Sequence, residues 1–123
     1  MNARLPTTPE TIFQSWQQIL EAAGRSGLID FEGKIQWVLT GEAGGSWLMC
    51  GGSAPTIEAR HATADCTLTL SVKDFVEIAC GELNPQVAYL NGQITFQGDL
   101  STVLQLSAVL ELLIAQSQLS LDH

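Results

Sequence analysis

The segment at residues 64–106, ADCTLTLSVKDFVEIACGELNPQVAYLNGQITFQGDLSTVLQL, changes its hydrophobic period several times, and glycine or proline marks most of the changes. Residues 65–71 alternate between a cysteine–leucine face and a threonine–serine face, which predicts a strand whose apolar face is covered. The whole segment predicts, in order, a strand, a helix, a short helix, a strand and a helix, with a glycine stop after each of the first two helices.

Polar residues at the starts of the two inner helices indicate where these helices begin. Ser71 fits an N-cap, with Asp74 at the third position completing a box-like pattern, and Gly81 ends that helix. Asn84 caps the next helix and Pro85 occupies its first turn. The predicted apolar sides consist of Phe75, Ile78 and Ala79 in the first helix and Val87, Ala88 and Leu90 in the second.

The end of the chain predicts a strand followed by an unusually apolar helix. Ile94 and Phe96 alternate along the strand, and a Gly-Asp pair then turns the chain into the helix. From residue 100 to residue 121 the only charged residue is Glu111. A helix apolar on most sides must be covered on more than one side, by the sheet, a partner subunit or a lipid. The predicted stripe is Leu104, Ala108 and Leu112, with Val103, Leu106, Leu110, Leu113 and Ile114 spreading around the cylinder.

The first half of the chain predicts one amphipathic helix followed by an antiparallel meander. The helix begins at Thr8 and Pro9 and ends near Gly24. Period-two alternation then predicts a strand at residues 34–39, a second strand around Trp47 and Met49, and a weaker third strand at residues 56–60. The helical apolar positions are Ile12, Phe13, Trp16, Ile19, Leu20 and Ala23, and the first strand presents Ile35, Trp37 and Leu39 on one face, with Gln36 opposite.

Size, composition and charge exclude several classes of protein. The chain has 123 residues, which fits one domain over residues 1–123, and 46% of them are hydrophobic. The net charge of −8 argues against a nucleic-acid partner and against electrostatic docking on anionic membranes. The N-terminus lacks the apolar core of a signal peptide, and three widely spaced cysteines favour a reducing compartment, so we expect a cytoplasmic protein.

Candidates for catalysis or metal binding are weak. His61, Asp65 and Cys66 lie close in sequence, but no second histidine is near, and a thiol on the apolar face of a strand behaves as a small hydrophobe. The glycines at residues 41–52 fit hairpin turns better than a phosphate loop, because no Lys-Ser/Thr pair follows them. We therefore expect no catalytic residue, no metal and no cofactor.

The ordered motifs resemble the sterol carrier protein type 2 domain family. They are Gly-Ser-Trp-Leu at residues 45–48, Asp-x-Thr-Leu-Thr-Leu-Ser at 65–71, Gly-Glu-Leu-Asn-Pro at 81–85, Asn-Gly at 91–92 and Gly-Asp-Leu at 98–100. The resemblance covers roughly residues 8–115. The chain departs from the family at Glu82, where lysine is common, and at Asn84, where aspartate is common. These departures and the acidic charge weaken the inference of collisional lipid transfer more than the inference of lipid binding.

The resemblance implies an α+β fold with a five-stranded, mainly antiparallel sheet, helices covering one face, and an apolar tunnel between them. Such domains sequester a fatty acid, acyl-CoA, sterol-like or isoprenoid lipid without catalysing a reaction on it. The residues expected to line the tunnel are Trp37, Trp47, Met49, Leu68, Leu70, Phe75, Ile78, Val87, Leu90, Ile94, Phe96, Leu104 and Leu113. In such a protein the tunnel wall is also the core, so Trp16, Trp37 and Trp47 fit either role.

Three functions remain open from the sequence. The first is a lipid-binding carrier. The second is a structural or accessory module whose apolar helix closes a homodimer or docks on an enzyme of lipid metabolism. The third, an enzyme, lacks an adjacent nucleophile, base and orienting group.

Overall fold

The fold is an α+β arrangement of four helices and five strands, seen in a computed structural model that describes residues 8–26, 32–42, 44–52 and 54–121. The helices are α1 (Pro9–Ser26), α2 (Val72–Ala79), α3 (Pro85–Leu90) and α4 (Leu100–Leu121). The strands are β1 (Lys34–Thr40), β2 (Gly45–Cys50), β3 (Thr56–Glu58), β4 (Cys66–Ser71) and β5 (Thr95–Gly98). Element types and order match the sequence prediction.

The five strands form one sheet in the order β3-β2-β1-β4-β5. Three of the four pairings are antiparallel, and the central pairing of β1 with β4 is parallel. The predicted five-stranded, mainly antiparallel sheet is confirmed. In this register Trp37 lies opposite Trp47 on one side and Leu68 on the other, and Leu68 lies opposite Phe96. One continuous row of large apolar side chains therefore crosses four strands.

The apolar face of the sheet packs against the helices. Helix α1 contacts α2, α4 and β3, while α2 also contacts β1 and β4. The alternation in β4 matches the prediction, because Cys66, Leu68 and Leu70 are buried whereas the residues between them are half-buried. The core thus lies between the sheet and the helical layer.

The opposite face of the sheet is covered locally by the loop that precedes β4. Gln36 is only 1% exposed. Its amide nitrogen donates to the carbonyls of Trp47 (3.0 Å) and Arg60 (3.1 Å), and its oxygen accepts from the N–H of Ala62 (2.7 Å). The glutamine that alternation places away from the core therefore anchors this loop.

The predicted caps of the inner helices are confirmed. The Ser71 hydroxyl accepts from the N–H of Asp74 (3.0 Å), and the Asn84 side chain accepts from the N–H groups of Gln86 (2.8 Å) and Val87 (3.3 Å). The predicted stop of α1 at Gly24 is wrong, because the helix continues to its last residue, Ser26.

Helix α1 is tied to the edge strand β3 by one side chain. The Gln17 amide nitrogen donates to the Pro55 carbonyl (3.0 Å), and its oxygen accepts from the backbone N–H of Ile57. The same nitrogen lies 2.9 Å from a Glu21 carboxylate oxygen. This polar contact fixes α1 over the β3 edge of the sheet.

Helix α4 covers the core with a different face from the one predicted. Of residues 100–116 in this helix, the buried ones are Thr102, Leu106, Val109, Leu110 and Leu113. Leu104 and Ala108 of the predicted stripe are exposed, and Leu112 is half-buried. A helix apolar around most of its circumference gives no single phase from sequence, so only packing decides which face turns inward. Within the described residues, no helix combines the length and apolar character needed to cross a membrane.

Candidate apolar ligand site

Five aromatic rings from four elements, α1, β1, β2 and α2, meet between the sheet and the helices. These rings, called here the aromatic cluster, are Phe13, Trp16, Trp37, Trp47 and Phe75. Phe13 stacks on Phe75 (4.8 Å between centroids, 25°) and on Trp47 (5.0 Å, 27°). Trp37 meets Phe75 edge to face at 5.5 Å. The cluster provides flat apolar walls of the kind that bind alkyl chains or rings.

Most of the side chains that the sequence predicts as tunnel-lining converge on this region. Seven of them are buried members of one core cluster: Trp37, Met49, Leu68, Leu70, Phe75, Ile78 and Leu113. Three more are partly buried and pack against it: Trp47, Ile94 and Phe96. These ten side chains come from β1, β2, β4, β5, α2, α4 and the residue before β5, and so surround the space between the layers.

The other three predicted lining residues lie on the surface. Val87 is 48% exposed, Leu90 is 81% exposed and Leu104 is 64% exposed. In α3 only Ala88 is buried, so the prediction that Val87 and Leu90 form a covered side is wrong. Helix α3 has six residues, and one turn and a half of helix can bury one small side chain while its larger neighbours point outward.

The helix α1 contributes residues that the lining prediction left out. Phe13 is 2% exposed, while Trp16 and Leu20 are fully buried in the same core cluster. Helical spacing in α1 already indicated this apolar face. The signal was therefore present, but spacing alone does not show that α1 packs over the sheet.

Two polar atoms in the aromatic cluster have no partner. The indole nitrogens of Trp16 and Trp37 are buried and make no hydrogen bond to any group in the described part of the chain. An indole N–H can only donate, so each group needs an acceptor. Otherwise the site is apolar.

The Cys66 thiol, which is buried in the same core, is not activated as a nucleophile. Burial raises the pKa of the Cys66 thiol from its usual 9.0 to about 11, with further repulsion from Asp65 and Asp99. A thiol held in this way stays protonated and is a poor nucleophile near neutral pH. In the described ranges, no three His, Cys, Asp or Glu side chains are grouped so that they could hold a metal ion.

Comparisons with known proteins agree with this geometry. Residues 14–111 match the SCP-2 sterol transfer family. Hydroxysteroid dehydrogenase-like protein 2 of Xenopus laevis is 23% identical over 105 residues, which is 79% of this chain but 24% of that protein. The chain thus spans about a quarter of that curated relative.

Two solved structures share the fold. The sterol carrier protein domain 2 of Helicoverpa armigera superposes with a TM-score of 0.68 at 21% identity, covering 94% of this chain and 96% of that one. The palmitated SCP2L2 of Aedes aegypti gives a TM-score of 0.71 at 22% identity, covering 84% of this chain and 94% of that one. Since the family match extends over most of the sequence, this chain belongs to the SCP-2 sterol transfer family.

Proposed function

We propose that this protein is a non-enzymatic lipid carrier that holds a hydrophobic ligand between its sheet and its helices. The observation that carries the proposal is the aromatic cluster, three of whose rings belong to the ten predicted apolar side chains that converge between the sheet and the helices. The family of the chain is described as sterol transfer, and one structural relative is palmitated. A fatty-acyl or other long apolar ligand fits these surroundings.

Burial of the ligand supplies the binding free energy. Each buried CH₂ group contributes about 0.8 kcal/mol. A sixteen-carbon chain therefore gains on the order of 10 kcal/mol before association and ordering costs are subtracted. This gain favours binding without any covalent step, once the helices and the sheet part to form the expected apolar tunnel.

Surface charge favours holding a lipid over delivering it to an anionic membrane. The net charge is −8, from 13 acidic and 5 basic residues. Such a chain is repelled by anionic headgroups and by nucleic acid. We propose a cytoplasmic protein that holds its lipid rather than delivering it to an anionic membrane.

The direct test is lipid extraction and native mass spectrometry of freshly purified protein, followed by titration with a fluorescent long-chain ester. Phe96→Ala removes a partly buried ring at the core, whereas Leu90→Ala removes a smaller apolar side chain that is 81% exposed. We expect Phe96→Ala to weaken binding several-fold and Leu90→Ala to leave it unchanged. A protein that neither carries nor binds any lipid would refute the proposal.

The second candidate is an accessory or assembly module. Its support is the set of large apolar side chains left on the surface, namely Val87, Tyr89, Leu90, Leu100 and Leu104. The Xenopus laevis relative is also much longer than its matching part, which fits a domain that accompanies another activity. Light scattering separates the two candidates: a monomer with bound lipid favours the carrier, whereas a dimer without lipid favours assembly.

A further inference from the structure

Two indole N–H groups are buried without acceptors inside the apolar site. Trp16 is 0% exposed and Trp37 is 3% exposed, and neither indole nitrogen finds a hydrogen-bond partner among the described residues. Most buried polar groups in proteins are paired, because an unpaired donor loses its bonds to water and gains nothing in return. Two such groups in one cluster indicate an acceptor that comes from outside the chain.

The two indoles belong to the same space. Trp16 lies on α1 and Trp37 lies on β1, and their ring centroids are 6.0 Å apart. Both rings contact Phe75, at 5.4 Å and 5.5 Å, and both contact Phe13, at 5.7 Å and 5.8 Å. Both donors therefore lie where the helical layer meets the sheet, which is the place proposed above for the lipid.

The charges of the chain decide what kind of acceptor fits. Of the described basic side chains, Lys34 and Lys73 are exposed, and exposed Arg60 is bonded to Glu58 (3.0 Å). None of these described cations lies in the core. A carboxylate buried without a cation is strongly disfavoured, and the net charge of −8 adds repulsion. An uncharged oxygen acceptor avoids this cost while still pairing with an indole N–H.

We propose that the indole N–H groups of Trp16 and Trp37 form a polar anchor for the carbonyl oxygen of a neutral lipid, such as a long-chain ketone, ester or quinone. The aromatic rings bind the apolar part, and the anchor selects carbonyl lipids over pure hydrocarbons. This inference rests on the lipid-carrier function proposed above and adds the class of headgroup.

The anchor can be observed directly by NMR. The chain has three tryptophans, so ¹⁵N-labelled protein gives three indole N–H signals, which Trp16→Phe, Trp37→Phe and Trp47→Phe assign. We expect 2-hexadecanone, delivered from cyclodextrin, to move the Trp16 or Trp37 proton signal downfield, as hydrogen bonding does. Hexadecane from the same carrier supplies the matched apolar ligand and should not produce this shift.

Competition measures the selectivity. Protein is equilibrated with equal amounts of 2-hexadecanone, hexadecane and palmitate, and the bound lipids are extracted and quantified. A ketone leaving water for a site without donors loses its hydrogen bonds, so the anchor is needed for the ketone to compete with the alkane. We expect Trp37→Phe and Trp16→Phe to lower the bound ketone-to-alkane ratio, by roughly ten-fold for each lost hydrogen bond. Trp47→Phe should affect both ligands alike and keep the ratio.

The outcomes separate this inference from the carrier function. If no lipid binds at all, the carrier function fails and the anchor fails with it. If lipids bind but the indole signals do not shift and the ratio is the same in every variant, the carrier function stands and the anchor is refuted. In that case the N–H groups are satisfied by neighbouring ring faces or by a retained water. Preferred binding of palmitate would likewise overturn the choice of a neutral headgroup. The wild-type NMR titration tests the anchor even if a tryptophan variant does not fold.

Discussion

Gly98, at the end of β5, lies directly against the backbone of Asp65, the residue immediately before β4. A Cβ atom at Gly98 would collide with the Asp65 carbonyl oxygen and lie 2.7 Å from the Cα of Cys66. Gly98 also has a φ of +124°, a backbone angle that residues with a Cβ atom rarely adopt. The next residue, Asp99, donates its N–H to the same Asp65 carbonyl (3.0 Å). The Asp65 carbonyl therefore holds the junction between β5 and α4 close to the start of β4.

We predict that Gly98→Ala destabilises the protein severely, because it combines backbone strain of about 1–3 kcal/mol with a collision against backbone. Gly92→Ala is the matched control, since Gly92 has a φ of +79° but nothing within 4 Å of an added Cβ. Urea unfolding should give a clearly larger loss for Gly98→Ala. Equal losses in the free energy of unfolding would show that the contact with Asp65 adds nothing to the cost of the positive φ.

Removing the buried amide of Gln36 should also destabilise the protein. Gln36→Leu leaves the Ala62 N–H and the carbonyls of Trp47 and Arg60 without their side-chain partner, at a cost of about 1–3 kcal/mol. Gln97→Leu makes the same change at an exposed position on β5 and should be within about 0.5 kcal/mol of wild type. Denaturant midpoints measure both, and similar midpoints would contradict the anchoring role.

The two leucines of α4 with opposite exposure provide a test of which face of the helix is covered. Leu113→Ala empties a fully buried position and should cost about 2–5 kcal/mol, whereas Leu104, at 64% exposed, should tolerate alanine at about 0.5 kcal/mol or less. Thermal or urea unfolding gives the comparison. If Leu104→Ala proves the more damaging change, α4 is rotated relative to this structure.

Cys66 should make stability fall at high pH. Burial, together with Asp65 and Asp99, raises the pKa of this thiol from 9.0 to about 11. Between those two values the unfolded chain has lost a proton that the folded chain retains, so the free energy of unfolding decreases as pH rises. Urea unfolding from about pH 8 to pH 11 should show a steeper decline for wild type than for Cys66→Ala. The variant also loses packing, so the informative quantity is the slope of the free energy of unfolding against pH. Equal slopes for the two proteins would count against a raised pKa for Cys66.

Asp99 should make stability fall at low pH. Its carboxylate accepts from the N–H of Ser101 (3.2 Å) and from the hydroxyls of Ser101 and Thr102 (3.1 Å each), which hold its pKa below the usual 3.8. The unfolded chain then takes up a proton first, so this stabilisation is present above pH 3.8 and is lost as pH falls further.

Asp99→Asn keeps an oxygen acceptor at the start of α4 but does not titrate. Acid denaturation followed by circular dichroism should therefore show a weaker pH dependence for Asp99→Asn than for wild type. An unchanged acid transition would mean that Asp99 does not contribute to it.

Local rules predicted most of the fold, because the decisive signals are local. The caps at Ser71 and Asn84 act within three residues of their partners, and the alternation in β4 reports directly on its two faces. Of the residues expected to line a tunnel, ten are buried or half-buried around one core, and their contact with a ligand remains a prediction.

What the sequence did not reveal depends on contacts between distant segments. The burial of Gln36 needs the loop near Arg60 and Ala62, 24 and 26 residues away in sequence. The inward face of α4 is set by what it packs on, since apolar residues occur around most of the helix. Likewise, the exposure of Val87 and Leu90 follows from the placement of the short helix α3. No periodicity records these relationships.

The hydrogen bond from the Ile57 N–H to the Gln17 side chain has a consequence for association between copies of the chain. β3 is an outer strand, and an unpaired backbone N–H there would invite a strand from another molecule to extend the sheet. The Gln17 side chain already occupies that N–H and holds α1 across the Pro55 carbonyl beside it. A neighbouring chain would have to displace the Gln17 side chain before it could pair with the Ile57 N–H, so this contact disfavours the addition of a strand at the β3 edge.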